Sequence, residues 1–185
     1  MNPIALPTAS VYDGWKTVKS SFISFLLGIA LTLVGGFLFL TRGGVPVRTE
    51  GGPLPFERLI SHMALHHAIG DEADRPSPLP GDTQNLVAGA HVYREQCAVC
   101  HGEWGRPPSA TAKGMFPMPP QLLPPKTGVT DDPVGETYWK VRNGIRLTGM
   151  PGYASSLSDK EMWQVSLFLL HANELPPPAQ DVLRR

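Results

Sequence analysis

The sequence predicts an all-α fold led by a membrane-crossing helix. Three observations predict it: one long uncharged apolar run, three later segments with helical spacing and helix-type ends, and no alternating run of β-branched residues that would make a strand. Twenty prolines and 19 glycines among 185 residues add long irregular segments between the helices and leave little room for a continuous sheet. Sixteen basic and 16 acidic side chains cancel. Without a strong basic field, nucleic-acid binding is set aside as a function class.

The apolar run is FISFLLGIALTLVGGFLFL, residues 22–40, 19 residues without a charge. As a helix it would span about 28 Å, the thickness of one hydrocarbon core. A cleaved signal peptide would have a shorter apolar region and a small-residue cleavage site, whereas LTRGG follows here. An uncleaved anchor is therefore expected, with residues 1–21 as a cytoplasmic N-terminus. Lys16 and Lys19 precede the run, and Arg42 and Arg48 follow it with Glu50 nearby, so charge favours this orientation only weakly.

Residues 41–83 read as a linker. Its first part, TRGGVPVRTEGGPLP, disfavours helix and strand alike. A short amphipathic helix follows at 56–69, where Phe56, Leu59, Ile60, Met63 and His67 recur at helical spacing before Gly70 stops it. His62 and His66 lie one turn apart on this helix, but no third ligand for a metal is obvious. The break DRPSPLPGD at 74–82 then separates the linker from a compact domain at 84–176, with 177–185 as a C-terminal tail.

Three helices are expected within that domain. TQNLVAGAHVYREQC carries Leu86, Ala90 and Tyr93 on one side, with Asp82 or Thr83 as cap. PVGETYWKVRNG starts after Asp132 and ends at Gly144. Ser158 and Glu161 form a capping box ahead of EMWQVSLFLLHA.

Both cysteines lie in QCAVCH, residues 96–101. A disulfide across so small a loop would be redox-active more than structural, zinc would need two further ligands where no other cysteine exists, and a thioredoxin-type site expects a βαβ setting. Cys97-Ala98-Val99-Cys100-His101 instead matches the C-x-x-C-H attachment pattern of c-type haem. Two thiols on the first turn after a helix reach two vinyl groups on one porphyrin edge, and the adjacent imidazole turns beneath the ring to the iron. That chemistry belongs to an exported compartment, which places residues 41–185 outside more firmly than the lysines do.

In order, NLVAGAHVYREQCAVCHG, MPPQLL, GETYWKVRNGIRLTGMPGY and LSDKEMWQVSLFLLHA resemble the class I cytochrome c family over residues 84–176. The resemblance implies helices packed around one covalent haem c and a distal methionine in the loop after the central helix, which is Met150 of TGMPGY. Met115 and Met118 follow His101 too closely to be favoured. It further implies that the Pro120 carbonyl receives the second nitrogen of His101, with Leu122 of the same segment against the haem. Gly89 and Tyr93 would cross Trp163 and Phe168. Tyr138 and Trp139 are placed in the core rather than on the haem, and Lys140, Arg142 and Arg146 near the Met150 loop suit an acidic partner or the propionates.

The expected function is therefore one-electron transfer rather than enzyme catalysis. The setting would be a single-pass protein of a bacterial inner membrane, its haem domain periplasmic, working with other redox proteins as a subunit of, or docked to, a multisubunit respiratory or photosynthetic complex. The alternative is a haem enzyme or gas sensor with an open sixth position.

Overall fold

The computed structural model describes residues 11–123 and 129–184, in two compact units, Met1–Val47 and Arg48–Arg185. Every regular element among the described residues is helical. Residues 1–10 of the expected cytoplasmic N-terminus and Arg185 of the expected tail lie outside the described residues.

The first unit is α1, Val11–Thr41, of which Val18–Thr41 is 24 residues long and apolar enough to cross a membrane. At about 1.5 Å per residue that stretch is about 36 Å, so the helix outruns the 22–40 run that marks it in the sequence. Two of its hydroxyls bond within the helix: Thr32 Oγ1 donates to the Gly28 carbonyl at 2.8 Å and Thr41 Oγ1 to that of Phe37 at 2.8 Å. Such internal pairing suits a segment with no water to turn to.

The second unit opens with α2, Glu57–Ile69, and a 3₁₀ turn, Gly70–Asp74. Next is α3, Thr83–Val92, capped by the Asp82 carboxylate, which accepts from Asn85 N–H at 2.9 Å. It runs on through a π-helical turn, Tyr93–Cys97, into the four-residue α4, Ala98–His101. After the short α5, Ala110–Lys113, come α6, Val134–Asn143, and α7, Asp159–Leu170. Both bonds of the α7 capping box form, Glu161 N–H to Ser158 Oγ at 3.3 Å and Ser158 N–H to the Glu161 carboxylate at 2.8 Å. The last element is α8, Pro177–Arg184.

The core is the crossing of α3 on α7, flanked by α6 and α8. Gly89 makes the crossing close: a Cβ there would lie 2.1 Å from the Gln164 carbonyl oxygen. Tyr93 and Phe168 rings meet at 5.3 Å beside it, and Gln164 Nε2 donates to Asn85 Oδ1 at 3.0 Å across the buried interface. Trp163, expected at the crossing, stacks instead on Tyr138 of α6 at 3.9 Å. Tyr138 is buried there and Trp139 lines a polar cleft with Arg142 and Asp159, so neither faces the cavity described below.

Two segments outside 84–176 pack into the same unit. Ala179 and Val182 of α8 are buried, and Arg94 donates to the Val182 carbonyl at 3.1 Å, where the sequence suggested a tail. Ile69 of α2 is buried, and the 3₁₀ turn lies so near α6 that a Cβ on Gly135 would meet the Glu72 carbonyl oxygen at 2.4 Å. The apolar residues that mark α2 in the sequence, Leu59, Ile60 and Met63, are exposed.

Candidate haem site

The π-helical turn sets the site. Widening the backbone spiral over Tyr93–Cys97 frees carbonyls that an α-helix would use, and functional sites often exploit such a turn. Tyr153 Oη donates to the Gln96 carbonyl at 2.9 Å and Gln121 Nε2 to that of Cys100 at 3.2 Å. Tyr93 Oη reaches the carbonyls of His101 at 3.0 Å and Gly102 at 2.8 Å. Leu122 N–H donates to His101 O at 2.9 Å. The attachment turn is therefore tied through its backbone to later parts of the chain, residues 121–122 and Tyr153.

Cys97, Cys100, His101, Pro120, Leu122 and Met150 all line one cavity of about 240 Å³. Its walls are overwhelmingly apolar, with Val141, Ile145 and Leu169 among them. The two cysteines are unbonded thiols. Burial, reinforced by the neighbouring Cys100, pushes the Cys97 thiol up to about 12, so it stays protonated at neutral pH.

His101 Nδ1 lies 2.9 Å from the Pro120 carbonyl oxygen. A carbonyl only accepts, so Nδ1 carries the proton and Nε2 keeps its lone pair. Burial holds the imidazole below its ordinary value, against the opposing pull of the Pro120 bond, and so favours the neutral ring that ligates metals. Met150 sits in a tight loop: its N–H donates to Thr148 Oγ1 at 3.1 Å, Thr148 Oγ1 donates to Ile145 O at 2.6 Å, and Ile145 N–H to Met150 O at 3.2 Å.

Residues 84–169 match the family model described as cytochrome c oxidase, cbb3-type, subunit III. The chain carries a cytochrome c domain. No curated protein matches it. Among solved structures, a chain of the reducing HAO-like protein complex of Kuenenia stuttgartiensis is 26% identical, with a TM-score of 0.44. The match covers 51% of this chain and 46% of that one, so the chain spans less than half the length of that relative.

A cytochrome c domain carries covalently bound haem c, and the residues present fit that group. Two thiols three residues apart, an imidazole with its Nε2 lone pair uncommitted and a thioether border one apolar cavity. Around the cytochrome c domain's cavity stand residues that sequence reading passed over. Leu65 of α2 lines it, a contribution masked because the more conspicuous apolar stripe of α2 faces away. Met115 and Met118, disfavoured as iron ligands by their closeness to His101 in sequence, line it too. Once Pro120 must receive His101, the residues just before it run along the cavity edge, so short sequence separation brings these thioethers to the site. Tyr153 carries no periodic signal; its place three residues after Met150 in TGMPGY was the available hint.

The positive charge expected near the Met150 loop is largely paired. Lys140 meets Glu136 at 2.5 Å and Asp132 at 3.4 Å, and Arg142 meets Asp159 at 3.5 Å. Among the described residues no group of three His, Cys, Asp or Glu is placed to hold a metal, and His62 and His66 are exposed.

Proposed function

We propose that this protein is a membrane-tethered electron carrier with one haem, which Cys97 and Cys100 would hold through thioether bonds and His101 and Met150 would ligate. The observation that carries the reading is the His101–Pro120 bond, which commits Nδ1 and leaves Nε2 for metal in a cavity shared by both cysteines and Met150. When bound, the haem supplies a one-electron iron couple. Pro120 orients the imidazole and strengthens it as a donor. An imidazole and a thioether together would occupy the iron, which favours electron transfer over binding a substrate. Leu122, Val141 and Leu169 exclude water from the cavity, which limits reorganisation around a charge change.

The proposed setting is the periplasmic face of a bacterial inner membrane, with α1 as anchor and the head raised in local concentration beside membrane partners. Service as a subunit of, or docked to, a respiratory or photosynthetic complex is supported by Leu59, Ile60 and Met63, an exposed apolar stripe on a helix whose other face holds the buried Ile69. The C-terminal segment, by contrast, is spent on the protein's own α3.

The purified detergent-solubilised chain should show one c-type haem per polypeptide in alkaline pyridine, and its ferrous form should not bind carbon monoxide. Met150→Ala should bind it and lose the weak red absorption that marks a thioether on ferric haem. Carbon monoxide binding by the unaltered protein would overturn the carrier reading in favour of an open-site enzyme or sensor.

A further inference from the structure

Met115 has no part in the roles above, yet its side chain lines the cavity with Met150. Gly149, immediately before Met150, is the reason it can. A Cβ built on Gly149 would lie 1.8 Å from Met115 Cε and 3.4 Å from its Sδ, so the tip of Met115 fills the volume that any side chain at 149 would take. Gly149 does not adopt the left-handed backbone that needs glycine, so room for the neighbour explains it better than conformation.

The hydrogen bonds of the Met150 loop run among Ile145, Thr148 and Met150. They hold the loop's shape but do not join it to the segment 115–120. That segment reaches His101 at its far end through Pro120, and its near end, Met115, lies against Gly149. One short stretch of chain thus bonds one residue assigned to the iron and lies against the chain neighbour of the other.

We propose that Met115 is a positioning residue: its thioether tip, seated on Gly149, pins the Met150 loop over the haem cavity and closes the edge beside it. This rests on Met150 as the sixth ligand. A methionine suits the task because its unbranched chain fills irregular gaps. The same flexibility makes Gly149→Ala cheap in stability while displacing Met115 from its seat.

The test uses the full-length holoprotein in detergent, with carbon monoxide association to the ferrous form, the red thioether band of the ferric form and haem content per chain. Met115→Leu, which fills similar volume without a ligating sulfur, should behave as the parent. In Met115→Ala and Gly149→Ala the share of molecules with the Met150 thioether released should rise about tenfold, read as carbon monoxide binding above the parent's background at unchanged haem content, which corresponds to about 1.4 kcal/mol in loop opening. The double variant Met115→Ala/Gly149→Ala should fall back towards the parent, because the new methyl occupies part of the vacated space.

Parent-like carbon monoxide binding in both single variants overturns the proposal. Where Met115→Ala fails to retain haem, parent-like binding by Gly149→Ala alone does so. Loss of the band in Met115→Leu with its survival in Met150→Leu would show that Met115 is the ligand, which overturns the Met150 assignment. If Met150→Leu loses the band and the Met115 and Gly149 variants change nothing, Met150 stands and only the positioning role falls.

Discussion

Tyr93 illustrates how a single side chain holds the attachment turn. Its hydroxyl reaches the carbonyls of both His101 and Gly102, and burial raises its phenol far above the ordinary value, so it remains a donor at any working pH. Tyr93→Phe keeps the ring contact with Phe168 but leaves those carbonyls without this donor. The expected loss is about 1–3 kcal/mol, read as a lower midpoint in denaturant unfolding of the holoprotein with the thioether band intact. Cys97, Cys100 and His101 were legible as candidates because covalent attachment is a local matter, decided by spacing along one turn. Tyr93 was legible only as a core residue, since its hydroxyl's partners depend on a π-helical turn that no composition or periodicity announces.

At the scale of elements, helix ends were easier to read than helix faces. Asp82, Ser158 and Glu161 act within three residues of themselves, and their capping bonds form where the sequence placed them. The face of α2 was not readable, because it carries apolar residues on two sides and packing selects Leu65 and Ile69 over the more numerous Leu59, Ile60 and Met63. The tail conceals an element for a related reason: PPPAQDVLRR reads as a proline-rich end, yet Pro177 starts α8 without needing a hydrogen-bonded N–H. Ala179 and Val182 then bury against the core. Truncation after Pro176 should therefore destabilise the haem domain by about 2–4 kcal/mol, the scale of burying a valine and its neighbours. Thermal unfolding followed in the haem absorption would reveal it; an unchanged midpoint would mean that α8 rests on the domain without supporting it.

For the molecule as a whole, the second unit is built around a cavity rather than around a finished core. Helices α3, α6 and α7 meet beside it, and Val141, Leu122 and Leu169 turn apolar surface towards it. Surface left bare in that way costs roughly 25 cal/mol per Å², in a domain whose small helices bury little else. Cys97→Ala combined with Cys100→Ala removes the covalent hold on the group that would fill the space. Such a chain should lose its native helical circular dichroism, and a native spectrum from it would show that the polypeptide packs without the haem. The first unit is independent of this logic, since the 24-residue Val18–Thr41 stretch is long and apolar enough to cross a membrane and buries none of its surface in the protein's interior.

By itself the sequence determined what short-range physics controls: an apolar run long enough for a bilayer, three helices marked by their caps, and a thiol–thiol–imidazole spacing that selects haem c over zinc or a disulfide. Tertiary structure alone decided which side chains converge. Pro120 receives His101, Tyr153 ties the loop after Met150 to the attachment turn, and Met115 fills the room above Gly149. Each of these pairs is separated by 19 or more residues of loop-rich chain, and contact between such partners depends on how helices pack, which local spacing does not encode.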